Sequence, residues 1–207
     1  MLSQGQVGPI TSTADGVQVA LRQGKLGDQI VSELHGRYYE TCYRRNQFFA
    51  ANPTGVTTVA FTSGTTTALL GVCVSNPVGS SINCVLNKFG YSFPVINTTV
   101  NEVLLAVGYN AATNVTHTTA LTTRNGFIGV GAASVAFADA SWTCPTAPNT
   151  LMLLTSMPSA TTLPADTYGD FEGSIILPPG AYAMIITSAA SAVSGFKASL
   201  GWEEVPV

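Results

Sequence analysis

The sequence predicts an all-β protein: an antiparallel β-sandwich or jelly roll preceded by an extended N-terminal arm. From residue 55 onward, short apolar runs rich in Val, Ile, Thr and aromatic residues follow one another, which is typical of strands. Gly, Pro, Asn and Ser clusters separate these runs, and no long helical periodicity interrupts them. Many short strands without intervening helices favour two packed sheets.

The individual strands follow from where the apolar runs begin and end. We expect each run to form a strand, since the breaks between them, such as Asn-Pro-Val-Gly and Pro-Pro-Gly, are turn sequences. The predicted strands span residues 55–61, 66–75, 82–95, 100–110, 126–140, 150–156, 171–177, 181–187 and 195–205.

The sequence between residues 171 and 187 contains the clearest turn. Pro179 supplies the fixed φ and Gly180 the positive φ that a type II turn requires. The runs 171–177 and 181–187 should therefore form either a hairpin or a tight corner.

The last run alternates with period two, which is the strongest indication of a half-buried strand in the sequence. One face carries Phe196, Ala198, Leu200 and Trp202. Glu203 and Glu204 follow, and we expect both to keep the exit from the sheet hydrated and to guard an edge against unwanted pairing.

The distribution of charge divides the chain into an N-terminal arm and docking segment, residues 1–50, and a β-sandwich domain, residues 51–207. Charged residues are dense in 22–45, whereas 103–165 contains only Arg124 and Asp139. Residues 1–25 are rich in Gly, Ser, Thr and Gln, as in an arm that orders against a partner. A strand is favoured over a short helix for residues 27–34.

Composition points to a surface that is buried in an assembly. Only 9% of residues are charged, against about 25% in ordinary soluble domains. Interface cores are depleted in charge in the same way. A net charge of −3 without a basic stripe argues against nucleic-acid binding. No apolar run is long enough to cross a membrane and no secretory signal is recognisable, so we expect a protein made in a cytoplasm.

The four cysteines, Cys42, Cys73, Cys84 and Cys144, form no C-x-x-C pair, so a zinc site is not expected. Cys73 and Cys84 flank a possible hairpin turn near Val78-Gly79 symmetrically. They could form a cross-strand disulfide, but two reduced, buried thiols are the favoured interpretation in a cytoplasmic chain.

Catalytic patterns are lacking, and we expect no enzyme, no cofactor and no metal. Neither His35 nor His117 is accompanied by a Ser or Cys nucleophile in a recognisable strained turn, so a solvent-facing or hydrogen-bonding role is favoured for both. Asp166, Asp170 and Glu172 surround a loop that could hold Ca²⁺ through oxygen atoms, but the regular calcium-loop spacing is missing.

Residues 37–49 are the one stretch in which arginines and aromatic residues interleave, as in interface hot spots. An equally weighted alternative is that the aromatic residues close one end of the sandwich. The candidate interface residues are Arg37, Tyr38, Tyr39, Tyr43, Arg44 and Arg45.

Three segments resemble a group of tailed-bacteriophage virion proteins. They are "LHGRYYE" followed by "FFAA", the central "VSNPVGSSINCVLNKFGYSF", and "EGSIILPPGAYAMIITSAASAVSGFKASLGWEEVP"; together they span most of residues 30–207. The resemblance implies a small, non-enzymatic β-sandwich component of the particle, such as a capsid cement (decoration) protein or a fibre-like part.

The expected location is therefore the capsid surface of a virion assembled in the host cytoplasm. The expected partners are the major capsid protein and copies of this chain, as a trimer or dimer. In this interpretation residues 1–50 lie across the capsid protein or a neighbouring subunit, with Arg37, Arg44 and Arg45 as anchors. The alternative is a receptor- or glycan-binding fibre component, marked by exposed aromatic side chains at Tyr91, Tyr109 or Tyr168.

Overall fold

A computed structural model describes residues 46–207, except 63, 98, 130, 158–166 and 194, together with strands β1 (Gly5–Gln6) and β2 (Leu21–Arg22). The chain divides into two compact units, Met1–Tyr39 and Glu40–Val207. In the first unit β1 and β2 pair in parallel. Residues 46–50 of the predicted arm are described and belong to the second unit, whereas the rest of the arm outside β1 and β2 lies outside the described residues.

The second unit is an all-β sandwich, as predicted, and its described residues form no helix. Its first strands are β3 (Gln47–Ala51), β4 (Leu69–Ser75), β5 (Ile82–Ser92), β6 (Asn101–Tyr109), β7 (Thr116–Ala120) and β8 (Arg124–Asn125). The remaining strands are β9 (Phe137–Thr143), β10 (Asn149–Met157), β11 (Thr167–Leu177), β12 (Ala181–Thr187) and β13 (Lys197–Pro206).

The strands form two antiparallel sheets. The six-stranded sheet has the order β10-β6-β12-β4-β9-β7, and the five-stranded sheet has the order β11-β5-β13-β3-β8. Four pairs are nested along the chain: β4 with β12, β5 with β11, β6 with β10, and β7 with β9. The chain from β4 to β12 is thus one long hairpin folded across both layers. The jelly-roll detail stays a prediction.

The main core lies between the sheets, where alternate residues of each strand meet. Val72 and Val74 of β4 and Ile185 of β12 pack in the same buried cluster as Phe48 and Trp202 of the other sheet. The rings of Phe48 and Trp202 stack with centroids 6.0 Å apart. Because β12 is buried along its whole length, its other side chains must be covered on the outer face of the six-stranded sheet.

The Pro-Gly turn forms as predicted, and it makes a corner rather than a hairpin. Gly180 has φ +88°, and Ala181 N–H donates to the carbonyl of Pro178 (2.9 Å). A Cβ at Gly180 would overlap the carbonyl oxygen of Asn110, so the turn has no space for a side chain. β11 and β12, on either side of the turn, belong to different sheets.

Several strand predictions were wrong in detail. Residues 55–61 form only an isolated bridge between Val56 and Phe196, although their composition is strand-like. In the predicted strand 126–140, regular pairing begins only at Phe137, since the preceding glycines form turns and bends. β7 and β8 were not predicted from the sequence. The sandwich also begins earlier than the predicted boundary at residue 51, because β3 starts at Gln47 and pairs with β13.

The C-terminal strand is half-buried as expected, with Phe196, Ala198, Leu200 and Trp202 all in the core. However, β13 lies between β5 and β3 at the centre of the five-stranded sheet. The predicted edge position for Glu203 and Glu204 is therefore wrong: no sheet edge exists there to be guarded.

Candidate interaction surface

The outer edge of β10 is a continuous exposed apolar feature of the described sandwich; we call Asn149–Met157 the β10 edge. Its first five residues are all exposed, which means that side chains on both faces of the strand reach solvent. Leu151, Met152 and Leu153 expose 52%, 45% and 52% of their surface. Consecutive exposed apolar residues on a strand normally mark an interaction site.

The β10 edge also lacks charge. Its sequence, NTLMLLTSM, contains no charged residue and no proline, which are the residues that natural proteins place on edge strands to prevent pairing. On its inner side β10 pairs with β6 from Asn149↔Val107 to Met157↔Asn101, with two bulges. Among the described residues no strand pairs with its outer side.

Two further exposed apolar side chains lie just beyond the ends of this pairing. Val100, which precedes β6, exposes 61% of its surface next to the Met157 end, and Tyr109 exposes 56% next to the Asn149 end. The apolar surface thus continues past both ends of the strand.

The outer face of the five-stranded sheet mixes polar contacts with exposed apolar side chains, among them Ile176 (57% exposed) and Tyr168 (69%). Lys88 Nζ lies 3.1 Å from Asp170 Oδ2 and 5.5 Å from the centre of the Tyr168 ring. The amide of Asn87 donates to Glu203 Oε1 (3.0 Å). Such exposed polar contacts contribute little stability.

The outer face of the six-stranded sheet holds a second apolar cluster, which includes Leu69, Trp142, Met184 and Ile186. Phe61 packs against it from the segment that precedes β4, and Phe61 N–H donates to the carbonyl of Thr187 (3.1 Å). Burial on both faces explains why β4, β6 and β12 of this sheet read as nearly continuous apolar runs.

Tyr182 anchors a second covering segment over the same cluster. Its hydroxyl donates to the carbonyl of Thr146 (2.6 Å), and burial raises the pKa of Tyr182 to about 12. The phenol therefore stays protonated and acts as a structural hydrogen-bond donor.

The side chains of His117 and Asp139 hydrogen-bond to each other. His117 Nδ1 lies 2.5 Å from Asp139 Oδ2, and the imidazole also packs against the Phe137 ring with centroids 4.7 Å apart. The hydrogen-bonding role expected for His117 is confirmed. Burial raises the pKa of the Asp139 carboxyl, and the hydrogen bond with His117 opposes that rise. His35 lies outside the described residues.

A shallow pocket beside His117 is lined in part by Ser75, Asn76, Asn114 and Phe137. Its empty space, about 210 Å³, includes open solvent, so the enclosed part of the pocket is small. The pocket therefore offers little room to enclose a substrate.

Glu204 has a role that the sequence analysis missed. It is 5% exposed, and its Oε1 accepts hydrogen bonds from Ser134 Oγ (2.6 Å), Val135 N–H (3.0 Å), Ala136 N–H (3.1 Å) and Trp202 Nε1–H (3.4 Å). The carboxylate therefore fastens the segment before β9 to β13. No local pattern around Glu204 signals this, because the donors of Ser134, Val135 and Ala136 lie about seventy residues earlier in the chain.

The cysteines described by the structure behave as small apolar side chains. Cys73, Cys84 and Cys144 are free and buried, which confirms the favoured interpretation. The hairpin that would have aligned Cys73 with Cys84 is absent, since β4 and β5 belong to different sheets. Burial raises the pKa of Cys144 to about 12, so its reactive thiolate is scarce at neutral pH. Cys42 lies outside the described residues.

The remaining predicted sites have mixed outcomes. The described residues contain no cluster of His, Cys, Asp or Glu that could hold a metal ion. Asp170 is held by Lys88 and by the N–H of Glu172, while Asp166 is not described. Of the marker tyrosines, Tyr168 is exposed and Tyr91 is buried, so Tyr91 cannot contact a receptor. The interface candidates Arg37, Tyr38, Tyr39, Tyr43, Arg44 and Arg45 all lie outside the described residues.

Comparison with protein-family models, with curated proteins and with solved structures finds no significant match. Across the residues that the structure describes, no helix is long and apolar enough to cross a membrane.

Proposed function

We propose that this protein is a non-enzymatic structural component of a bacteriophage particle, which binds the capsid shell as a cement protein and stabilises contacts between major capsid subunits. The observation that carries the proposal is the β10 edge, an uncharged apolar strand exposed on both faces. A monomer in dilute solution gains nothing from such an edge and risks aggregation, whereas a protein that is permanently docked can bury it.

The chemistry of the sandwich interior supports a binding role. The ionisable side chains near the core make structural hydrogen bonds: Glu204 with Ser134, and His117 with Asp139. They do not converge on an enclosed cavity. The low charge of the chain fits broad neutral contacts with a shell. Residues 1–50, with Arg37, Arg44 and Arg45, are the segment that we assign to the capsid protein.

The test is the abundance of the protein in purified particles, measured by quantitative mass spectrometry against the major capsid protein. We expect hundreds of copies per particle and binding of the purified chain to shells that lack it. Deletion of residues 1–25 should abolish that binding while the far-ultraviolet spectrum of the sandwich is kept. Absence of the protein from particles would contradict the cement-protein proposal. Undiminished binding by the truncated chain would contradict only the assignment of the N-terminal segment to docking.

A second candidate function is a receptor- or glycan-binding fibre component. It is favoured by Tyr168, which is 69% exposed on β11 with Lys88 beside its ring, because exposed aromatic faces are suited to stacking on sugars. A handful of copies per particle, together with glycan binding that a Tyr168→Ala variant loses, would support this function over the first.

A further inference from the structure

We propose that the β10 edge pairs with the β10 edge of a second copy of this chain, antiparallel across a twofold axis, so that the two six-stranded sheets join into one. This inference deepens the proposed function by naming a partner for its exposed strand. Its test requires no particle, so its failure would be distinguishable from failure of the cement-protein proposal.

The absence of charge makes β10 compatible with its own copy. In an antiparallel twofold pair the residues near the axis lie opposite their own symmetry mates, so any charge close to the axis would meet a like charge. β10 has none. It therefore meets the electrostatic condition for pairing with itself, which charged edge strands fail.

The one charged residue of the adjacent strand does not oppose this pairing. Glu102 is the one acidic or basic residue of β6, and it lies opposite Ser156 near the Met157 end of the β10 edge. A twofold axis near the middle of β10 sends the two Glu102 side chains to opposite ends of the paired strands, roughly 20 Å apart at about 3.3 Å per residue. That separation exceeds a Debye length of about 8 Å at physiological salt, so their repulsion is screened.

The interface that this symmetry makes rests on main-chain hydrogen bonds along β10. Two bulges, between Thr150 and Met152 and between Leu153 and Thr155, limit the length of regular pairing. Val100 and Tyr109 lie at the ends of β6, one strand inside the interface, so they do not take part in the pairing.

The opposite edge of the six-stranded sheet provides the contrast. β7, with the sequence THTTA, is also fully exposed but offers threonine and histidine side chains instead of leucines. Its self-pairing would bury little apolar surface. The apolar character of β10 thus selects one edge of this sheet, and a partner strand would satisfy its open backbone groups.

The test is the mass of the purified full-length chain by light scattering and sedimentation, with Leu153→Lys as the disrupting variant and Thr118→Lys, on the exposed β7 edge, as the matched control. Wild type and Thr118→Lys should have twice the chain mass of 21.4 kDa, and Leu153→Lys should be monomeric with an unchanged circular dichroism spectrum. Should Leu153→Lys fail to fold, Thr150→Lys on the same exposed stretch replaces it.

Hydrogen exchange gives a second readout that is independent of substitution. Amides of the β10 edge should be protected from exchange in the wild-type chain at high concentration. On dilution their protection factors should fall at least tenfold, while those of β12 stay unchanged. A monomeric wild type, a trimer, or a dimer that keeps its mass in both lysine variants of β10 would overturn the proposal.

Discussion

Replacing Glu204 with alanine should destabilise the sandwich severely, because one buried carboxylate satisfies several donors at once. In the Glu204→Ala variant, Val135 N–H and Ser134 Oγ can turn to solvent or to another acceptor, since Val135 is 43% exposed and Ser134 Oγ is also bonded to Ala136 O. Ala136 N–H and Trp202 Nε1–H cannot, as these residues are only 3% and 0% exposed.

The magnitude follows from these two stranded donors. Each buried donor left without an acceptor costs about 1–3 kcal/mol, so with two such donors the variant should lose about 2–6 kcal/mol of unfolding free energy. For a chain of this length that corresponds to a fall in Tm of about 10 °C. Glu204→Gln keeps one acceptor oxygen and should lose about half as much.

The assay is urea unfolding followed by Trp fluorescence, with Glu203→Ala as the control. Glu203 is the next residue of the same strand, is partly exposed, and accepts a hydrogen bond from Asn87 on the outer face. Its loss should cost less than about 1 kcal/mol. If the two alanine variants prove equally stable, the buried acceptor is not what holds the segment before β9, and the argument from unsatisfied donors is refuted.

Two further outcomes follow from the packing and the ionisation of single residues. Gly71→Ala should lower the free energy of unfolding in urea by more than about 3 kcal/mol, since a Cβ there overlaps the carbonyl oxygen of Ile185. Gly79→Ala is also at positive φ but has open space around it, so it should cost about 1 kcal/mol. Equal losses in the two variants would contradict the expected overlap. Tyr182→Phe should flatten the loss of stability between pH 10 and 12. The folded-state pKa of about 12 exceeds the ordinary 10.0, so the contribution of the phenol is complete below pH 10 and disappears as the pH rises through 12. An unchanged alkaline unfolding profile would exclude Tyr182 as a source of that pH dependence.

The sequence was sufficient to predict the fold class because it depends on local signals. Period-two alternation located β13, and the fixed φ of Pro179 with the free φ of Gly180 located the corner between β11 and β12. The strand positions of β4, β6, β10 and β12 were also recognised to within a few residues, since turn residues delimit them.

The features that sequence could not supply depend on contacts between distant segments. Whether Glu204 lies at an edge or at a centre depends on β3 arriving from the other end of the domain to pair with β13. Residues 55–61 have the composition of a strand but pair with no neighbouring strand beyond the bridge at Val56. Composition alone therefore predicts a strand that does not form. The exposure of β10 likewise depends on its place at the end of the sheet order, which no local pattern records.

The position of β13 has a consequence for how the chain is made. β13 follows all the other described strands in the sequence and must enter between β5 and β3, so the five-stranded sheet cannot close before β13 has been synthesised. Until then β3 and β5 each expose an unpaired edge to the crowded cell, a state in which chains are vulnerable to aggregation and benefit from chaperones. Truncation of the chain before β13 should therefore leave β3 and β5 without the strand that joins them.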